Sequence, residues 1–382
     1  MAPTRVPVSG SVLRWAREQS GSSVTQVADR LKVRPARVAE WEAEQSQPTV
    51  NQLRQLANYL QRTPASFLLV DVPNERGIER PPDFRGHEDD AVEPALLREV
   101  RKADERRTHY LDLVAERPLQ PATSDIDIEA DPSAAARQVR GLLGVSLPSQ
   151  LAWRTDTEAL RTWIAAIEDF GALVFQMSRI DLRVARGASL FREPLPIILL
   201  NGADSPYARV FTLMHELGHL LMRQSGICDV WADNRTEQFC NRFAGELLLP
   251  REHIEAELAK AEPLESLDQI ATRYSVSQSA VAVRLRQLEL IDQADLNRQL
   301  ELAAVLADES RRRSRERSRE SGGGPPHHRV HLRNLGENYV ATVLRALDSD
   351  RISAVDAAYF LEAKLGTIEN MRDDLVGSGR AS

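Results

Sequence analysis

Five consecutive residues carry most of the chemistry in this chain: His215-Glu216-Leu217-Gly218-His219. They sit between the apolar stretches Val210–Met214 and Leu220–Met222, a pattern that predicts a buried helix. Positions four apart share a helix face, so His215 and His219 project side by side. Two neutral imidazoles at that spacing can hold one Zn²⁺, and a carboxylate between them can serve as general base toward water. A buried histidine needs a partner, and two on one face beside a carboxylate are hard to satisfy without a metal.

A catalytic zinc site needs a third protein ligand and one open position. Residues 236–250 predict a second helix whose apolar face is Phe239, Cys240, Phe243, Ala244, Leu247 and Leu248, ending near Pro250. Glu237 lies at the rim of that face. Glu246, nine residues on, is about half a turn round at roughly 100° per residue. Glu237 is therefore the expected third ligand and Glu246 the alternative. Tyr207, His253 and Tyr274 are candidate oxyanion donors among which the sequence does not choose.

The two segments, Arg209–His219 and Glu237–Pro250, resemble the ImmA/IrrE family of metallo-endopeptidases. The resemblance implies that His215, His219 and Glu237 ligate Zn²⁺ and that Glu216 is the catalytic base. It extends over about residues 130–295. Short strands at 172–176, 186–190 and 196–201 fit the family's order, while Met214 stands where alanine is usual.

The N-terminal part predicts five short helices over residues 9–70, two of them joined by the turn Lys32-Val33-Arg34. Order and spacing resemble the Cro/C1 (XRE-type) DNA-binding domain, including Trp41-Glu42 and Pro48-Thr49. Pro35–Glu44 would be the recognition helix. Of its early positions only Arg34 and Arg37 suit phosphate or guanine, whereas Glu40 and Glu44 oppose phosphate. The glycine usual after the Trp-Glu pair is replaced by Ala43-Glu44. Residues 1–71 hold nine Arg/Lys against six Asp/Glu, a weakly basic balance.

The remaining chain frames these features. A chain of 382 residues exceeds one simple core, and its net charge of −7 confines any nucleic-acid affinity to local patches. Two cysteines, Cys228 and Cys240, are too few for a disulfide framework or a cysteine zinc site. No apolar run is long enough to span a membrane and the first residues lack a signal-peptide core, so a cytoplasmic protein is expected. The expected fold class is multidomain and mainly α. A five-helix domain over 1–71 precedes a connector with a charged helix over 72–129. An α+β zincin-like metallopeptidase core with a small sheet and a helical tail follows over 130–295. An Arg/Ser/Gly-rich linker over 296–329, read as flexible, leads to a small helical module over 330–382. The basic residues of the connector, Arg98 to Arg107, read as a solvated face, as does His109.

Two functions are consistent with these residues. One is a zinc-dependent endopeptidase coupled to a DNA-binding domain, with operator DNA and a helix-turn-helix repressor or antitoxin as partners and a homodimer as its assembly. The other is a helix-turn-helix regulator or antitoxin whose peptidase-like domain senses a ligand or partner and cuts little. An intact Glu216 between the ligands argues for the first, since a non-cleaving fold has no need of that base.

Overall fold

The computed structural model describes residues 4–60, 62–72, 94–115, 131–227, 235–259, 262–320 and 324–377. The chain divides into two compact units, Met1–Asp104 and Glu105–Ser382.

The first unit contains α1 (Gly10–Gln19), α2 (Val24–Leu31), α3 (Pro35–Glu42), α4 (Val50–Leu60) and a 3₁₀ turn, Pro64–Leu68. Local signals set the boundaries. Ser23 and Gln26 form a reciprocal capping box at the start of α2. Pro35 occupies the first turn of α3, where its missing N–H is no loss. Leu13, Val27, Val38, Trp41, Leu56, Leu60 and Phe67 form the core. The helix α3 ends at Glu42, two residues before the predicted end. Glu44 takes a left-handed backbone, with φ of 58°, where glycine is usual. Its carboxylate accepts the Gly10 N–H at 2.8 Å and so closes an open donor at the start of α1. The helix α5 (Pro94–Val114) begins in this unit and ends in the next.

After the end of α5 the second unit continues with α6 (Pro132–Leu142), α7 (Leu147–Leu151) and α8 (Asp156–Phe170). A four-stranded sheet follows, made of β1 (Leu173–Met177), β2 (Gly187–Leu190), β3 (Ile197–Asn201) and β4 (Gly226–Ile227) in the order β1-β3-β2-β4. β1 and β3 are parallel; β2 is antiparallel to both β3 and β4. Between β3 and β4 runs α9 (Pro206–Leu221), and α10 (Arg235–Leu248) comes after β4. Then come α11 (Arg251–Leu258), α12 (Leu267–Tyr274), α13 (Gln278–Gln287) and α14 (Gln293–Glu320). The chain closes with α15 (His327–Leu335), α16 (Glu337–Asp348), α17 (Ala354–Phe360) and α18 (Leu365–Gly377).

Every residue of β1, β2 and β3 is buried, so both faces of the sheet are covered. Val174 points into the main core with Trp163, Ile167 and Val210. Its neighbour Phe175 points the opposite way and meets Tyr339 edge-to-face, at 5.7 Å between ring centres. The segment predicted as a separate C-terminal module thus packs on the sheet. Its approach is close: a Cβ on Gly336 would stand 2.8 Å from the Val174 carbonyl oxygen.

Two expectations fail in this unit. The linker predicted over 296–329 is helical through Glu320. Low-complexity composition hid the i,i+4 pairs Arg313–Glu309 and Arg312–Glu316, which support a helix. The basic face of the connector is also not merely solvated. Arg106 is buried, stacks over Phe175 and pairs with Glu362 at 2.6 Å. Arg107 donates to the carbonyl oxygens of Leu195 and Glu193, and His109 stacks on Phe360. Among the described residues, no helix is long and apolar enough to cross a membrane.

Candidate metal centre

α9 carries the first part of the site. Ser205 caps its N-terminus by accepting the Ala208 N–H, and every residue from Arg209 to Leu221 is buried. α10 lies against it. The close approach depends on Gly218, whose added Cβ would stand 3.1 Å from the Cys240 sulfur and 3.3 Å from Phe243.

This approach gathers three donors. His215 Nε2 lies 2.9 Å from Glu237 Oε2, His219 Nε2 lies 3.3 Å from Glu237 Oε1, and the two Nε2 atoms are 3.1 Å apart. Ligands 2.0–2.1 Å from one tetrahedral ion would stand about 3.3 Å apart, so this donor set fits such an ion. Glu237, His215 and His219 are thus brought together as predicted. Glu246 is not with them. It is buried against Arg284 in a short ion pair and lies within reach of Ser133.

Two neighbours were missed in the sequence. Cys240, expected only in the core, is buried there and also clusters with the two histidines, with one ligand atom from each within 4.8 Å of the others. Asn241 Oδ1 lies 3.0 Å from His215 Nδ1. With a cation at the site, Nδ1 would donate to that oxygen and Nε2 would turn its lone pair to the ion. Both follow Glu237 by three and four residues, so helix periodicity places them on its face. Asn241→Ala is expected to weaken metal binding about 10- to 100-fold with the fold kept, measured by competition against a chelator.

Glu216 is fully buried, and neither carboxylate oxygen has a hydrogen-bond partner by geometry. Burial pushes its carboxyl above the usual range, against the opposing pull of His219 and His215. The space it occupies exists because β2 has a glycine there. A Cβ on Gly187 would stand 2.8 Å from Glu216 Oε1 and 2.5 Å from the Thr212 methyl. The Glu237 carboxyl is held down to about 2: burial opposes ionisation, but the hydrogen bonds from His215 and His219 outweigh it. His219 is raised well above an ordinary imidazole because its bonds to Cys240 and Glu237 prevail over burial.

The three oxyanion candidates are scattered. Tyr274 is part of the core and His253 is exposed on α11. Tyr207 is half-buried in the first turn of α9, eight residues or about 12 Å of helix before His215. Cys228 lies outside the described residues.

In the N-terminal unit, Arg34 is exposed just before α3. Arg37 is half-buried and pairs with Glu40 at 2.7 Å. Glu42 is held by Arg17 at 2.6 Å and Glu44 accepts from Gly10, whereas Glu40 pairs with Arg37 itself.

Comparison with known families agrees with this division. Residues 167–286 match the IrrE N-terminal-like domain of the M78 peptidases, and residues 13–67 match a helix-turn-helix family. The family implies a metal in the first of these segments, and the donor set described above fits one. No match was found among curated proteins.

Proposed function

We propose that this chain, which joins a Cro/C1-type helix-turn-helix domain to an ImmA/IrrE-type metallopeptidase-like domain, is a zinc endopeptidase acting in transcriptional regulation. Its substrate would be a repressor or antitoxin-type protein with a helix-turn-helix domain, met in the cytoplasm. One observation carries the reading: three donors from two helices stand 2.9 to 3.3 Å from one another, one residue from a buried, unpartnered carboxylate.

His215, His219 and Glu237 would hold the ion. Zinc in such a set supplies Lewis-acid chemistry, polarising a peptide carbonyl and acidifying water. Glu216 supplies the base, taking a proton from the attacking water and passing it to the leaving amine. Its elevated carboxyl suits both halves of that transfer. Asn241 fixes the His215 ring, and Gly187 leaves room for Glu216.

The helix-turn-helix domain would bind operator DNA through Arg34 and Arg37, as a homodimer on paired half-sites. Removing residues 1–71 is expected to abolish operator binding, measured by selection from genomic fragments and mobility shift. Unchanged binding would move the DNA site to α12–α13 or to the arginines of α14.

The test of the enzyme is direct. Zinc-loaded full-length protein is incubated with purified helix-turn-helix repressors and antitoxins, and discrete fragments are mapped by mass spectrometry. A Glu216-dependent cut supports the reading. The second reading, a regulator that senses a partner and cuts little, draws on one observation: Glu216 has no exposed surface. It is supported if zinc binds and operator affinity responds to a partner while no cut appears.

A further inference from the structure

The helix α14 has two apolar sides. On one, Leu296 is buried in the main core and Leu300 packs against it. On the other, Leu302, Val305 and Leu306 are 56%, 56% and 54% exposed. Positions i, i+3 and i+4 form one stripe, so three large apolar side chains stand together in water on a helix already anchored by its opposite face. Single exposed leucines need no explanation, but a grouped stripe on an anchored helix does.

The charges flanking this stripe are ordered. Toward the N-terminus lie Asp295 and Arg298; toward the C-terminus lie Glu309, Arg312 and Arg313. Arg298, Arg312, Arg313 and Glu309 are exposed and Asp295 partly so, and among the described residues their ion pairs lie within the helix, as Arg298–Asp295, Arg313–Glu309 and Arg312–Glu316. If two copies of α14 run antiparallel about Ala304, Leu302 of each faces Leu306 of the other. In that register Asp295 faces Arg313, and Arg298 falls one residue, about 1.5 Å, from Glu309. Both charged pairs are opposite in sign, and two-fold symmetry makes each of them twice. A parallel pair in register would set Arg298 against Arg298 and Glu309 against Glu309, which is repulsive.

We infer that α14 is the dimerisation element of this chain, and that a second copy covers the Leu302–Val305–Leu306 stripe in an antiparallel pair locked by Arg298–Glu309 and Asp295–Arg313 contacts. This rests on the homodimer reading and names its interface. Apolar side chains at the centre supply the attraction, and the flanking charges set orientation and register.

The experiment is sedimentation velocity on the full chain over a concentration series at low and high salt. Wild type is expected to dimerise, more weakly at high salt. Leu302→Glu with Leu306→Glu is expected to leave a monomer; both positions are exposed, so folding is checked by an unchanged circular dichroism spectrum. Arg298→Glu alone sets Glu against Glu309 twice, and Glu309→Arg alone sets Arg against Arg298 twice. Each is expected to weaken association about tenfold. An equimolar mixture of the two restores both pairs, so recovery of the dimer in the mixture identifies the antiparallel contact. A double-leucine variant that dimerises like wild type overturns the inference while leaving the homodimer reading standing. A wild type that stays monomeric throughout overturns both. Two weakened single variants that fail to rescue each other overturn the register.

Discussion

Glu216→Gln is expected to keep its metal and lose cleavage by about 10³-fold, within the range for removing a positioned general base. The substitution is nearly isosteric, and the site leaves little room for anything else. Gly187 on β2 has no side chain because Glu216 Oε1 lies 2.8 Å from where a Cβ would stand. An amide of the same shape fits that space. It also removes a buried carboxylate with no hydrogen-bond partner by geometry, so the variant should be no less stable than wild type. What it lacks is the ability to take a proton from water. Zinc content and cleavage rate measured on one preparation separate these effects. Retained cleavage with full zinc would remove Glu216 from the role of base. Loss of zinc together with cleavage would make it part of the metal site itself.

Much of this arrangement was legible in the sequence where the signal was local. The spacing of His215, Glu216 and His219 needs only the helix period, and the apolar flanks announce that the helix is buried. The half-turn between Glu237 and Glu246 anticipated that only one would face the histidines; the structure sets Glu237 on them and ties Glu246 to Arg284. The three strands before α9 were legible from short apolar runs. Long-range partnerships were not. Nothing near Tyr339 or Gly336 states that α15 and α16 cover β1, because the groups they meet are some 160 residues away. Arg106 reads as solvated until Glu362 and Phe175 are placed beside it. α14 was hidden by its own composition: repeated Arg and Ser suggested a linker, while its i,i+4 pairs were the better signal. Asn241 and Cys240 follow Glu237 by four and three residues, so the same helix period places them on its face, but neither residue type by itself signals a partner for a histidine.

Glu237→Ala and Glu246→Ala remove the same group from the same helix and should fail in different ways. Glu237 sits among the proposed ligands, 2.9 Å from His215 and 3.3 Å from His219. Without it the set falls to two imidazoles, and metal affinity should drop by more than the about 10- to 100-fold typical of an outer partner. The metal-free fold should change little, since the Asn241 bond to His215 remains. Glu246 stands instead against Arg284, and both side chains are 4% exposed. Its removal leaves a buried guanidinium with the Leu249 carbonyl oxygen and Gln287 as its acceptors among the described residues. Stranding one partner of a buried pair costs about 3–5 kcal/mol, and the two remaining acceptors favour the lower end. For a unit of this size that lowers the midpoint of unfolding by roughly 5–9 °C. Zinc titration and thermal unfolding on both variants read the two axes independently. The reverse pattern, with zinc lost in Glu246→Ala and stability lost in Glu237→Ala, would transfer the ligand role to Glu246. A third result is also informative. If Glu237→Ala keeps substantial affinity, and its cobalt form gains a thiolate-to-metal absorption absent from wild type, then Cys240 has taken the vacated position. Such capture is chemically plausible only because that sulfur already lies within 4.8 Å of both imidazoles, and Cys240→Ser in the same background should abolish it.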